Sequence, residues 1–282
     1  PLHALQKDID RYRDRYLQGW DTIRTQRWRR MREIGLVNCE LSPLEADVIP
    51  SWNFSKEKLQ EAIGPGEADR AVPWTDLTDQ QKRFQATKMA IHAAMVDRMD
   101  QEIGRVLDQV KTMGADENTI VLFVSDNGAS AEQIIRGDMH DPNALPGSAK
   151  SYLCLGPGFS SAANTPWRLH KSWVHEGGIS SPLIVHWPAG LAARGELRHN
   201  PCHFVDILPT ALDLAGGRNI APQWNGQTAP PLPGKSLTPA FARDGAVAHD
   251  YIYFHHITNR AIRVSDWKLV AKGDKGPWEL YD

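Results

Sequence analysis

The chain has 282 residues, 41% of them hydrophobic, and a formal net charge of −2. This length is enough for one large domain, or for one large and one small domain. The near-neutral charge and widely spread basic residues give no reason to expect nucleic acid or an anionic membrane as a partner. No apolar run approaches the ~20 residues needed to cross a bilayer, so we expect no membrane span.

The first third of the chain predicts helices. Residues 3–35 are rich in Arg, Gln, Asp and Leu, which suggests one or two exposed helices. Thr78 and Gln81 fit a capping box, in which each side chain bonds a free backbone donor of the other, and predict a helix running to about Thr112. Gly114 is the expected stop. The apolar positions of this helix are spaced three or four residues apart and predict one buried stripe: Met95, Met99, Ile103, Val106, Leu107 and Val110.

Residues 119–125 form a short continuous apolar run rich in Ile and Val. Such a run is typical of a strand buried on both faces, as in a parallel sheet. A helix followed within a few residues by this strand is half of a βαβ unit and indicates an α/β fold. The segment from Gly128 to about Asn164 is rich in Gly and Pro and predicts a long irregular loop.

The second half of the chain predicts one more interior strand, one helix and a small sheet. "PLIVHW" is a buried-strand candidate, and residues 203–217 predict a helix that ends at a Gly pair. The last residues predict short antiparallel strands. The expected organisation is an α/β domain over residues 1–217, a proline-rich connector over residues 218–236 and a small C-terminal β subdomain over residues 237–282.

Asp126 and Asn127 are the first candidate site, because they directly follow the apolar strand. In open α/β sheets, ligands bind outside the carboxyl ends of the strands. A carboxylate and a side-chain amide are hard oxygen donors that suit Ca²⁺, or less well Mg²⁺. The alternative is an ordinary hairpin turn at Asn127-Gly128, although the residues that follow lack the alternation of a returning strand.

Lys171 is the second candidate, because it lies shortly before Gly177-Gly178 and the second predicted strand. An ammonium group is a compact partner for phosphate or sulfate oxygens. The alternative is a solvated surface lysine. A nucleophile is lacking: the chain has no GxSxG, Walker or GxGxxG motif, and its histidines have no zinc-binding spacing.

An ordered series of motifs resembles the second half of a type I sulfatase, and in particular the bacterial arylsulfatase group of the alkaline phosphatase superfamily. The series is "VLFVSDNGASAE", "TPWRLHKSWVHEGGISSPLIVHWPAG", "HFVDILPTALDLAG", "NRAIRVSDWKLV" and "WELYD". The similarity covers nearly the whole chain, and the order of the motifs is more specific than any one of them.

The resemblance implies a partial alkaline-phosphatase-like sheet sandwiched by helices, with residues 1–217 as part of the catalytic domain. It implies hydrolysis of sulfate esters, either small molecules or sulfated glycans, by a formylglycine nucleophile with Ca²⁺ as cofactor. Asp126 and Asn127 match one pair of the family's calcium ligands, and Lys171 matches a lysine that contacts the sulfate. A periplasmic or secreted location would suit a bacterial source.

The chain departs from the family pattern in one respect that limits its chemistry. It has no C/S-x-P-x-R sequence, from which the formylglycine is made. We therefore expect a C-terminal portion of a sulfatase that is inactive alone, with the nucleophile elsewhere in the parent protein. The alternatives are a phosphodiesterase or phosphonate monoester hydrolase of the same superfamily, and a non-catalytic sulfatase-like protein that binds sulfated ligands.

Overall fold

The computed structural model describes residues 1–217, 223–228 and 230–282, and the chain forms two compact units. Each unit combines two separate stretches of sequence. Unit 1 consists of Pro1–Gly114 and Asn127–Pro182, and unit 2 consists of Ala115–Asp126 and Leu183–Asp282.

Helices supply the regular structure of unit 1 in the part of the chain that the structure describes. They are α1 (Gln6–Ile9), α2 (Gly19–Glu33), α3 (Lys56–Ala62), α4 (Asp79–Thr112), α5 (Pro157–Ala163) and α6 (Glu176–Ile179). The first two confirm the helical prediction for residues 3–35.

The long helix α4 begins as the capping box predicts. The Thr78 hydroxyl accepts from the Gln81 N–H at 3.2 Å, and the Gln81 amide oxygen accepts from the Thr78 N–H at 3.0 Å. Both bonds satisfy backbone donors that no helical carbonyl can reach. The helix ends at Thr112, just before Gly114, whose φ is +66°.

The buried stripe predicted on α4 is wrong for most of its length. Met99 is 44% exposed and Val106 is 63% exposed, and the buried residues of α4 lie between Gln85 and Ala94. The N-terminal half packs against α1 and the core residue Leu153. Apolar spacing therefore identified the helix, but it could not tell which half of the helix other elements cover.

The predicted loop from Gly128 to Asn164 contains a helix, so the prediction of an irregular segment is wrong at its end. Gly156 has φ +80° and Pro157 occupies the first turn of α5. Proline fits this position because the first helical N–H has no partner within the helix. Phe159 of this helix is fully buried and meets Trp20 edge to face at 5.5 Å.

Strands β1 (Val121–Val124) and β2 (Leu183–His186) of unit 2 form a two-stranded antiparallel sheet. Both strands occur where the sequence predicts them, but the parallel pairing and two-sided burial are wrong. Phe123 is 42% exposed and its cross-strand partner Ile184 is 57% exposed. A short apolar run indicates a strand without specifying its partner or which face is covered.

The rest of unit 2 contains two short α-helices, a small ribbon and a four-stranded sheet among the described residues. The helices are α7 (Ile207–Leu214) and α8 (Thr238–Ala242), and the ribbon joins β3 (Gln223–Trp224) and β4 (Gln227–Thr228). The antiparallel sheet has the order β5 (Ile252–His256), β6 (Asn259–Val264), β7 (Trp267–Ala271) and β8 (Trp278–Tyr281).

These elements confirm the mixed α/β class and the antiparallel sheet at the C-terminal end. The predicted connector falls partly on residues 218–222 and 229, which lie outside the described residues. The predicted domain boundaries therefore stay predictions. Over the described ranges, none of the helices combines the length and hydropathy required to cross a bilayer.

Candidate functional site

Asp126 and Asn127 follow β1, as the sequence predicts. Asp126 is exposed and is the last residue of the first stretch of unit 2, whereas Asn127 is half-buried and opens the second stretch of unit 1. The two residues are adjacent in the chain, and the boundary between the units falls at their peptide bond.

Gly128 ties the segment after Asn127 to the Gly177-Gly178 pair. Its N–H donates to the carbonyl of Gly178 at 2.9 Å, and a Cβ at this position would lie 1.8 Å from the carbonyl oxygen of Gly177. This contact leaves no room for a side chain at residue 128. The hairpin alternative for Asn127-Gly128 is therefore wrong, because β1 pairs with β2 and not with the residues that directly follow the turn.

The carbonyl of Ala129 accepts three hydrogen bonds. The donors are the Lys171 N–H at 3.0 Å, the Ser160 hydroxyl at 3.0 Å and the Asn164 amide nitrogen at 3.1 Å. The N–H of Ala129 donates to Oδ1 of Asn164 at 2.7 Å. Both backbone polar groups of Ala129, two residues after Asn127, are thus hydrogen-bonded, and its carbonyl bonds the backbone of Lys171 directly.

Lys171 is exposed, and its ammonium group makes no hydrogen bond or ion pair with the residues that the structure describes. Its backbone is well fixed, whereas its side chain is available to a ligand. Leu169 and Ser172 on either side have positive φ angles of 66° and 86°. Such angles are uncommon for residues with a side chain, and they often occur where a loop holds a functional group in place.

The Gly177-Gly178 pair, at the start of α6, lies against the turn that carries Lys171. The N–H of Gly177 donates to the carbonyl of Arg168 at 2.8 Å. A Cβ on Gly177 would lie 2.2 Å from the carbonyl oxygen of Leu169, and one on Gly178 would lie 2.0 Å from that of Trp173. Glycine is needed at both positions because backbone atoms occupy the space of a side chain.

His170 is buried beneath this turn. Its Nδ1 lies 2.7 Å from the hydroxyl of Ser160, which itself donates to Ala129. A hydroxyl has one proton, so in this arrangement Nδ1–H of His170 donates to Ser160. Burial lowers the pKa of His170 to about 4, with a smaller opposing effect of Glu45. His170 is therefore a neutral supporting group at neutral pH and not a proton donor to substrate.

These contacts define the loop junction, residues 127–129, 160, 164–171 and 177–178. The structure brings the predicted residues Asn127 and Lys171 into this junction within unit 1. The roles of Ser160, Asn164 and His170 have no counterpart in the sequence prediction. Their only sequence signal is the density of small and polar residues just before Lys171, which many ordinary loops share.

Asp126 and Asn127 fit Ca²⁺ in kind but are too few to complete its coordination. Both offer the hard oxygen atoms that the ion prefers, whereas Ca²⁺ takes about 6–8 oxygen ligands. Among the described residues no group of three or more His, Cys, Asp or Glu side chains could hold a metal ion. Asp126 and Asn127 would therefore supply only two of the oxygen ligands that Ca²⁺ takes.

Comparison with known proteins relates the chain to sulfatases. The Sulfatase family model matches residues 6–217. An uncharacterized sulfatase of Schizosaccharomyces pombe is 32% identical over 100% of this chain and 50% of its own length. An arylsulfatase of Klebsiella aerogenes is 28% identical over 77% of this chain and 44% of its own length.

Among solved structures, the phosphonate monoester hydrolase of Agrobacterium radiobacter is similar with a TM-score of 0.43 and 21% identity. That similarity covers 74% of this chain and 36% of the hydrolase, and it is too low to support a functional assignment. The chain spans about half the length of the curated relatives it matches. The family match over residues 6–217 and the similarity of the whole chain to half of the Schizosaccharomyces pombe protein make the chain a member of the sulfatase family, within the alkaline phosphatase superfamily.

Proposed function

We propose that the complete protein hydrolyses sulfate esters, either small sulfate-ester molecules or sulfated glycans. Membership of the sulfatase family supports the reaction class. One structural observation supports the assignment of residues: the Lys171 N–H donates to the carbonyl of Ala129, two residues after Asn127. This bond keeps the backbone of Lys171, whose ammonium group has no partner among the described residues, beside the segment that follows Asn127.

In this proposal, Lys171 contacts the sulfate group. Its ammonium offsets negative charge on the sulfate oxygens and on the leaving oxygen as the ester bond breaks. Its backbone is fixed by the bond to Ala129, so only the exposed side chain needs to be ordered when substrate binds.

Asp126 and Asn127 are proposed as oxygen ligands of Ca²⁺, with Mg²⁺ as the alternative ion. Bound there, the cation would neutralise charge on the sulfate oxygens. The nucleophile is proposed to be a formylglycine outside these 282 residues, because the chain has no C/S-x-P-x-R sequence. On this proposal the 282-residue chain alone is inactive.

The proposal is tested with the complete gene product and two substrates, 4-nitrophenyl sulfate and bis(4-nitrophenyl) phosphate. We expect turnover of the sulfate. Lys171→Ala should lower kcat by about 10²–10³-fold, the range seen when one charge-stabilising donor is removed from an active site. Lys150→Ala, at another exposed lysine of unit 1, is the matched control and should leave kcat unchanged.

Calcium binding is measured on the same protein by titration calorimetry. Asp126→Ala and Asn127→Ala should weaken Ca²⁺ binding and turnover together, whereas Lys171→Ala should lower turnover and leave Ca²⁺ binding intact. Unchanged Ca²⁺ affinity in Asp126→Ala contradicts the metal assignment. Turnover of the phosphate diester alone would indicate a phosphodiesterase, and turnover of neither substrate would indicate a non-catalytic protein.

A further inference from the structure

We propose that Asn164 is a positioning residue for the sulfatase reaction, holding the Asn127 and Lys171 segments at a fixed separation. This inference rests on the proposed function. Both functional residues belong to loops, so their separation depends on contacts between the loops and not on a shared helix or strand. Asn164 is buried between these loops and bonds to both of them.

Asn164 makes one equivalent hydrogen bond to each of the two loops that carry the proposed site residues. Its amide nitrogen donates to the carbonyl of Ala129 and to the carbonyl of Leu169, each at 3.1 Å. Ala129 follows Asn127 by two residues, and Leu169 precedes Lys171 by two residues. The Asn164 side chain therefore bonds each loop at a carbonyl two residues away from the candidate site residue, Asn127 in one loop and Lys171 in the other.

The amide of Asn164 uses its full donor capacity here. Both amide protons bond carbonyls, and Oδ1 accepts from the Ala129 N–H at 2.7 Å. Turning the amide over would place Oδ1 against two carbonyl oxygens and the amide nitrogen against an N–H. An aspartate would meet the same two carbonyls with oxygen atoms only. A leucine would remove the donor to the Leu169 carbonyl and the acceptor of the Ala129 N–H. Position 164 thus requires a side chain with two donor protons and one acceptor oxygen, which asparagine provides.

Asn164 stabilises the fold as well, so the test must separate positioning from stability. Gln133 provides the control because it is a second buried amide in unit 1, at 2% exposure. Its amide nitrogen donates to Glu67 at 3.1 Å and to the carbonyl of Ala68 at 3.0 Å. Removing either amide leaves buried carbonyl or carboxylate groups with fewer donors, but only Asn164 contacts the segments of Asn127 and Lys171.

The experiment compares Asn164→Ala and Gln133→Ala in the complete gene product. It measures kcat and KM for 4-nitrophenyl sulfate together with the midpoint of thermal unfolding. We expect both variants to lose thermal stability. Asn164→Ala should lower kcat by about 100-fold, since a misplacement of about 1 Å can have this effect. Gln133→Ala should keep kcat within about threefold of wild type, because it leaves the loops that carry the site in place.

A wild-type kcat in folded Asn164→Ala overturns this inference, as does an equal loss of kcat in both variants at matched loss of stability. If Asn164→Ala does not fold, Asn164→Ser is measured in its place, with the same expectation and the same contradicting outcome. The wild type reports on the proposed function separately. An inactive wild type overturns the proposed function and this inference with it, whereas an active wild type with an unaffected Asn164 variant overturns the inference alone.

Discussion

Unit 1 contains two buried polar clusters that are built in different ways. The Lys88 network, which consists of Glu67, Gln85, Lys88 and Gln133, is centred on an ion pair. Lys88 is 0% exposed and lies 2.8 Å and 3.0 Å from the two carboxylate oxygens of Glu67. The loop junction holds its segments together with neutral groups, mainly main-chain carbonyls and the side chains of Ser160, Asn164 and His170.

Polar burial in the Lys88 network neutralises charge, whereas polar burial in the loop junction fixes backbone segments against each other. In the Lys88 network the charges satisfy each other, and neither charged side chain has access to a ligand. In the loop junction, neutral groups take up the polar atoms of the backbone, and the one ammonium, on Lys171, stays exposed. The Lys171 ammonium is therefore available to a ligand, whereas Arg168 of the junction pairs with Glu45 and the charges of the network neutralise each other.

The largest effect on stability is expected from Lys88→Ala. This change leaves the Glu67 carboxylate buried without its cation, and removing one partner of a buried ion pair typically lowers the free energy of unfolding by about 3–5 kcal/mol. The turnover number of the molecules that remain folded should not change, since Lys88 lies outside the loop junction. The free energy of unfolding is measured by urea denaturation, and turnover is measured on the same samples.

Lys111→Ala is the control for this prediction, because Lys111 is an exposed lysine in the last turn of the same helix. Its loss should lower the free energy of unfolding by no more than about 0.5 kcal/mol. Equal losses in the two variants would show that the Lys88 network contributes little. A fall in kcat of folded Lys88→Ala would remove the distinction between the network and the junction.

The next effect is a dependence of stability on pH that comes from His170. Its pKa in the folded protein is about 4, against an ordinary value of 6.5, because burial disfavours the charged ring. Between these values the unfolded chain binds a proton that the folded chain does not, so acidification from pH 6.5 to pH 4 should destabilise the fold. A pKa lowered from 6.5 to about 4 contributes about 3 kcal/mol to the free energy of unfolding. This contribution is fully present above pH 6.5 and is lost as the pH falls to 4.

The contribution of His170 is isolated by comparing wild type with His170→Gln, which removes the titratable ring. Other groups near the ring are Glu45, which raises its pKa, and Arg24, which lowers it. The variant should show a shallower decrease in the free energy of unfolding between pH 6.5 and pH 4. His256→Gln, at an exposed histidine, should retain the wild-type slope. Identical slopes in wild type and His170→Gln would contradict a neutral buried His170.

The features that could be predicted from sequence are those with local signals. The start of α4 follows from the Thr78–Gln81 capping box, which needs only neighbouring residues. The strands of the C-terminal sheet, which begins at Ile252–His256, are predicted by short apolar runs between turns. Helix α5 was missed because Gly156-Pro157 also occurs in loops, and only the burial of Phe159 distinguishes the two.

The candidate site was predictable only in part. Asn127 and Lys171 follow from residue type and position, but the hydrogen bonds that join their segments connect residues far apart in sequence. Asn164 and Ser160 have no signature of their own, since their roles depend on which carbonyl the fold brings to them. The close packing of Gly177 and Gly178 against the backbone of Leu169 and Trp173 likewise connects residues that the sequence pattern does not relate.

The smallest effect is expected from adding a methyl group to the loop junction at Gly128. The new Cβ would lie 1.8 Å from the carbonyl oxygen of Gly177, so the two segments must move apart. We expect Gly128→Ala to lower the free energy of unfolding by about 1–3 kcal/mol, as overpacking does elsewhere. Amide hydrogen exchange should also accelerate at Gly128 and Lys171, whose N–H groups cross the junction.

Gly104→Ala is the matched control for this substitution, because Gly104 lies within α4 and, apart from the backbone of its own helix, no described atom lies within 4 Å of the added Cβ. Alanine is favoured over glycine in a helix, so this variant should gain about 0.5–1 kcal/mol. Opposite signs for the two Gly→Ala changes would show that the close approach at the junction is real. A neutral Gly128→Ala with unchanged exchange at Lys171 would instead mean that the segments are loosely packed, and the fixed separation of Asn127 and Lys171 would then lose its structural basis.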